Sequence, residues 1–159
     1  MALECEWPRL GATPMEIQQL LATARTIAVV GCSDKPERDS YRVAQYLLQQ
    51  GYEIVPVNPN VKEVLGRPAY ADLRQVPGRM DIVGIFRRPE AVPKIVEAAV
   101  ARGDRAVWMQ EGIVHNAAAE RAFAAGLQVV MNRCLAKEHR RWRAAQPEAT
   151  RTSSTNPTG

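Results

Sequence analysis

Short apolar runs alternate with amphipathic stretches along this chain, and glycines mark most of the changes. The first run, Ile27-Ala28-Val29-Val30, is short enough for a strand buried on both faces. Gly31 breaks it, and a polar loop carries Lys35 and Arg38 with Arg42 just beyond. A helix starts near Asp39 or Ser40, either of which offers a capping oxygen, and Val43, Tyr46 and Leu47 give it one inward stripe. Gly51 stops it, and Tyr52 to Val57 reads as the next strand. Strand, glycine turn, helix and strand in about 30 residues make a parallel βαβ unit.

Before that unit, Thr13-Pro14-Met15-Glu16 has capping-box spacing with proline at the first helical position, and Ile17, Leu20 and Leu21 form its apolar stripe. After it, the pattern predicts a brief strand near Ala69-Tyr70 and a short helix from Ala71 to Val76. A strand follows over Asp81–Phe86, then a helix from Pro89 to Arg102 with Val92, Ile95, Val96, Ala99 and Val100 inward. Arg105 to Met109 is a strand, Asn116 caps an alanine-rich helix to Ala125, and Leu127 to Met131 is the last strand. A short helix over residues 133–145 completes the order. Residues 1–12 are expected to be loose, 13–145 to form one domain, and 146–159, rich in Ser, Thr and Pro, to be disordered.

Strands alternating with helices imply an α/β fold, a doubly wound and mostly parallel sheet covered on both faces. Right-handed crossovers give the order 3-2-1-4-5 with a further edge strand. Ligands of such sheets bind beyond the carboxyl ends of the strands, where the winding reverses. The Gly31 loop, the Val57-Asn58-Pro59 turn, the Phe86-Arg87-Arg88 turn and the Gln110-Glu111-Gly112 turn therefore converge on one crevice. A helix start there favours anions, and Lys35, Arg38, Arg42 and one of Arg87 and Arg88 are placed to meet phosphate oxygens.

Composition narrows the partners. Of the net charge of +4 over 159 residues, the segment from Lys137 onward holds five cations against two acids, which leaves only +1 on the body. No basic stripe for a nucleic acid emerges. No apolar run approaches membrane-spanning length, and the acidic N-terminus is unlike a signal peptide. Cys5, Cys32 and Cys134 are widely spaced and show no zinc pattern, which points to a reducing, cytoplasmic setting. A dinucleotide fingerprint needs GxGxxG and an acid after the second strand. Here the loop is Gly31-Cys32-Ser33-Asp34-Lys35-Pro36 and the strand ends in Val57-Asn58. NAD is disfavoured against a nucleotide with additional phosphates.

Several of these stretches together resemble the small stand-alone CoA-binding proteins, whose Rossmann-like domain also occurs in succinyl-CoA synthetase and related acyl-CoA synthetases. The matching segments are Val29-Val30-Gly31-Cys32-Ser33 with Lys35 and Ser40-Tyr41, and Gly51-Tyr52 leading to Pro56-Val57-Asn58-Pro59. They continue through Asp81-Ile82-Val83, Phe86-Arg87-Arg88-Pro89, Trp108 to Ile113, and Asn132-Arg133-Cys134. The resemblance spans roughly Pro14 to Arg141 and implies binding of coenzyme A.

By that resemblance Gly31, Ser33 and Lys35, with the helix start at Ser40, hold the pyrophosphate. Val57, Asn58 and Pro59 line the adenosine side, Phe86 and Arg87 close over the ligand, and Gln110 and Gly112 edge the pantetheine path. Cys32 replaces the family's usual alanine and sets a thiol by the phosphate loop. Asn132 replaces an aspartate, which weakens any role for a carboxylate there.

The synthetases pass phosphate through a histidine outside this domain. Here His115 reads as a surface loop residue and His139 as solvated. Without a complete catalytic set, the chain reads as a binder of CoA or acyl-CoA, a carrier or sensor, monomeric or homodimeric. A mixed disulfide between the CoA thiol and Cys134 is one sharper expectation. The alternatives are an acyl-CoA synthetase-like enzyme subunit and an NAD(P)-binding redox sensor.

Overall fold

The structure, a computed structural model, describes residues 7–146. A five-stranded parallel sheet runs in the order β2-β1-β5-β6-β7. Its strands are β1 (Thr26–Val30), β2 (Glu53–Val57), β5 (Ile82–Ile85), β6 (Ala106–Met109) and β7 (Gln128–Val130). A two-stranded hairpin, β3 (Glu63–Val64) and β4 (Arg67–Pro68), lies outside it. The strand expected near Ala69-Tyr70 is reduced to one parallel bridge, Val57 to Tyr70. Tyr70 N–H donates to Pro56 O and Asn58 N–H donates to Tyr70 O, so this segment covers the free edge of β2. The doubly wound order is otherwise as expected.

Alternation along the strands divides the core in two. Ile27, Val29, Ile54, Ile82, Trp108 and Val130 face one side. There α1 (Pro14–Thr23), α2 (Asp39–Gln49) and α5 (Leu135–Ala145) bury Leu20, Leu21, Leu47 and Leu135 against them. Ala28, Val83, Ile85, Val107 and Val129 face the other side, under α3 (Val92–Arg102) and α4 (Asn116–Ala124). Burying each such aliphatic side chain contributes roughly 1.5–3 kcal/mol before entropy is subtracted. Winding from β1 to β2 places α2 on one face, and winding through β5, β6 and β7 places α3 and α4 on the other. The reversal falls between β1 and β5.

Local signals explain most element ends. Thr13 and Glu16 form the predicted capping box, with Glu16 N–H donating to Thr13 Oγ1 and Thr13 N–H donating to Glu16 Oε1. Three details differ. The segment expected as a short helix over 71–76 is a single 3-10 turn at Leu73–Gln75, and the Pro89 end of the long helix is likewise a 3-10 turn before α3 begins at Val92. The cap of α4 is His115 rather than Asn116. Asn116 is buried in the first turn, where it receives Arg9 N–H and donates to Trp7 O.

Those contacts tie down part of the expected loose N-terminus, since Ala12 N–H also donates to Val129 O on the edge strand β7. Residues 1–6 and 147–159, which hold the rest of that segment and nearly all of the expected tail, lie outside the described residues. At the far end of the sheet from the winding reversal, Asp81 Oδ2 accepts the N–H groups of Arg25 and Thr26. Burial alone would raise the Asp81 pKa, but those bonds and the nearby Arg105 outweigh it and hold it low.

Candidate functional site

The carboxyl ends of β1, β2, β5 and β6 open into one cleft of about 1260 Å³, bounded above by α2 and α5. It is somewhat larger than a usual small-ligand pocket and suits an elongated ligand. The Gly31 loop forms its centre. Gly31 has φ of +87° and donates its N–H to Val57 O at 2.8 Å. A side chain here would be strained by the backbone, and its Cβ would also lie 2.5 Å from Phe86 O and 2.9 Å from Arg87 Cδ. Glycine thus allows the turn after β5 to sit directly against the turn after β1.

The rest of the loop is cross-braced. Ser33 N–H donates to Ser40 Oγ at 3.0 Å, Lys35 N–H donates to Ser33 Oγ at 3.0 Å, and Asn58 Nδ2 donates to Cys32 O at 2.9 Å. Ser40 is therefore not the cap of α2; it reaches back and holds the loop. Neither is Asp39, because the cap position falls on Arg38, which gives no side-chain cap hydrogen bond. The first N–H groups of α2 are left facing the cleft at the positive end of the helix dipole.

Charge sorts along the cleft. Lys35, Arg38, Arg42, Arg87 and Arg88 line its α2 side, and among the described residues none of them enters an ion pair. Asp34, Glu37 and Asp39 sit among them and temper the field. On the α5 side Lys137 is engaged with Glu111 at 3.1 Å, and the neighbours are Gln110, Ile113, Cys134 and Ala136.

Nine of the residues proposed from sequence line this space: Gly31, Ser33, Lys35, Ser40, Asn58, Phe86, Arg87, Arg88 and Gln110. Four do not. Val57 is buried in β2 and contributes its carbonyl to Gly31. Pro59 is exposed outside the cleft. Gly112 lies behind the β6 turn, where its N–H donates to Asn132 Oδ1 at 2.7 Å. That bond needs only an acceptor oxygen, so asparagine serves there without a negative charge. Cys32 is fully buried beneath α2, and burial first, with Asp34 second, pushes its thiol pKa up to about 12. The thiol beside the phosphate loop therefore points into the core and is not a reactive group of the cleft. Cys134 does line the cleft, half-buried.

Sequence reasoning missed the contribution of α5. Arg140 and Lys137 close the cleft across from α2, and Arg140 lies over the Tyr46 ring at 4.5 Å from its centroid. The available signal was the spacing of Leu135, Ala136 and His139 on one helix face. His139, expected in solvent, is buried among Tyr46, Tyr52 and Trp142 with edge-on ring contacts of 5.3–5.5 Å. Burial, reinforced by Arg143 and Arg140, lowers its pKa to about 4. His115, the other histidine, accepts Ala118 N–H on Nδ1 at 3.1 Å as the α4 cap and does not line the cleft. Among the described residues no three His, Cys, Asp or Glu side chains gather as a metal site, and no helix is long and apolar enough to cross a membrane.

Comparison with known proteins fits this geometry. The chain is 38% identical over 124 residues to the Bacillus subtilis protein YneT, covering 78% of this chain and 92% of that one. A solved structure from Pyrococcus horikoshii superposes with a TM-score of 0.81 at 39% identity, over 88% of this chain and 99% of that one. The alpha subunit of ADP-forming acetate–CoA ligase II from Pyrococcus furiosus is 34% identical over 86 residues, which is 52% of this chain but only 18% of that subunit. The model of the CoA binding domain family matches residues 25–140, from the start of β1 into α5. This chain belongs to the family of CoA binding domains.

Proposed function

We propose that this chain binds coenzyme A, free or acylated, in the cleft between α2 and α5 and does so without catalysing a reaction of its own. The observation that carries the reading is the convergence of five cations free of ion pairs on an uncapped helix start. CoA brings a pyrophosphate and a 3′-phosphate, and that combination demands more fixed positive charge than ADP or NAD. Family membership supports the same ligand. The non-catalytic part of the reading is supported by the employment of both histidines elsewhere, one as a helix cap and the other inside an aromatic cage. A role as carrier or sensor in the cytoplasm follows naturally.

A thermal-shift panel of CoA, acetyl-CoA, ADP and NAD(P) tests the ligand. At a hundredfold excess over Kd, CoA or acetyl-CoA is expected to raise Tm by about 5 to 10 °C, with ADP well below. A larger shift with NAD(P) than with CoA would overturn the reading. Likeness to the ligase alpha subunit favours a second reading, in which the chain serves an acyl-CoA-forming enzyme. Turnover of acetyl-CoA with ADP and phosphate by the purified chain would establish it.

A further inference from the structure

Gln110, at the carboxyl end of β6, is 5% exposed and lines the cleft. Its Oε1 accepts Leu135 N–H at 3.1 Å. Leu135 opens α5, so this N–H has no partner within its own helix and needs an oxygen. The bond therefore fixes which way the amide is turned, because a flipped amide would set NH2 against N–H. Nε2 is held on the other side, and among the described residues it has no hydrogen-bond partner. Buried polar groups are almost always paired, and a donor left unmade costs roughly 1–3 kcal/mol.

Room for this amide is built in from below. A Cβ at Gly84 would lie 3.1 Å from Leu135 Cδ1 and 3.7 Å from Gln110 Nε2. The missing side chain in the middle strand lets Leu135 and Gln110 settle onto the sheet together.

We infer that Gln110 Nε2 donates a hydrogen bond to a carbonyl oxygen on the uncharged arm of the ligand, and that this contact selects ligands carrying the arm over the bare nucleotide. The inference rests on the CoA reading above. A carbonyl is the fitting acceptor because the unpaired cations lie on the α2 side. Gln110 is instead flanked by Cys134, Ala136 and Ile113, and the lysine nearby is neutralised by Glu111. β6 stands two strands from β1, roughly 10 Å across the sheet at the usual strand spacing. A ligand with its pyrophosphate at the Gly31 loop has left its charges behind at that distance. Two kinds of carbonyl can arrive there, the amides of the pantetheine arm and the thioester of an acylated ligand.

The test compares CoA, acetyl-CoA and adenosine 3′,5′-bisphosphate, which lacks the arm, by calorimetry on the wild type, Gln110→Glu and Gln110→Met. Glutamate keeps the acceptor for Leu135 N–H at the start of α5, so the helix stays anchored while the donor is lost. Methionine removes the donor without adding charge. In both variants the preference for CoA over the bisphosphate should fall about tenfold. An amide contact reduces CoA and acetyl-CoA binding equally, whereas a thioester contact reduces acetyl-CoA binding alone, with acetyl-CoA replacing CoA in that ratio. If both variants keep the wild-type preference for both arm-bearing ligands, Gln110 is only the anchor of α5 and the inference is wrong. If wild type binds none of the three, the CoA reading itself fails and takes this contact with it.

Discussion

Tyr46 Oη and His139 Nδ1 are hydrogen-bonded at 2.8 Å, joining α2 to α5 across 93 residues of sequence. Tyr52 and Trp142 complete the cage, and Arg140 and Arg143 disfavour a second positive charge inside it. His139 is therefore neutral in the fold over a range where the unfolded chain would protonate it.

The sign of the pH effect follows. The folded pKa is about 4 and lies below the ordinary value of 6.5, so between these values the unfolded chain binds the extra proton. Stability is complete above pH 6.5 and falls as the pH drops toward 4, by about 2 to 3 kcal/mol. Urea unfolding at several pH values should show this loss, and His139→Phe should flatten it over the same window. A wild-type stability unchanged from pH 7 to 4.5 would contradict the cage.

Lys35 and Arg87 meet the proposed phosphates from different loops. Changing either to alanine is expected to weaken CoA binding about tenfold, with a shallower salt dependence than wild type. Titration calorimetry at two ionic strengths checks both, and full affinity in both variants would move the phosphates elsewhere.

Gly31→Ala acts on fold and site together. The left-handed backbone and the overlap with Phe86 O should cost about 2 to 4 kcal/mol of stability. Denaturant midpoints read the first effect, and the residual CoA affinity of the folded fraction reads the second. A variant as stable as the wild type would mean that the two turns part easily.

The two described thiols should separate by reactivity. Cys134 opens into the cleft, whereas Cys32 is sealed under α2 with its pKa near 12. Alkylation of the native protein followed by peptide mass mapping should label Cys134 first and leave Cys32 until unfolding. Bound CoA should slow the labelling of Cys134. Equal rates at both positions would contradict the burial of Cys32.

Much of this architecture was legible because its causes are local. An apolar tetrapeptide ended by Gly31, and a proline-started helix after Thr13, each state their conformation within a few residues. The wall formed by α5 was harder to read. Its sequence is mostly charged, and what buries His139 is supplied by Tyr46 and Tyr52, which lie far back in the chain. Cys32 misled for a related reason: adjacency to a loop glycine does not tell which way a side chain leaves the turn. His115 and Asn116 exchanged roles across a single residue, since either can accept an N–H and only the pull of Trp7 and Arg9 on Asn116 decided between them.

The borders of the sheet constrain how this molecule can meet another copy of itself. Tyr70 occupies backbone groups along the outer side of β2, and Ala12 takes a carbonyl of β7 at the opposite margin. With both flanks partly claimed, two copies cannot readily join into one continuous ten-stranded layer. Any self-association is steered to helical faces, away from ladder-forming polymers.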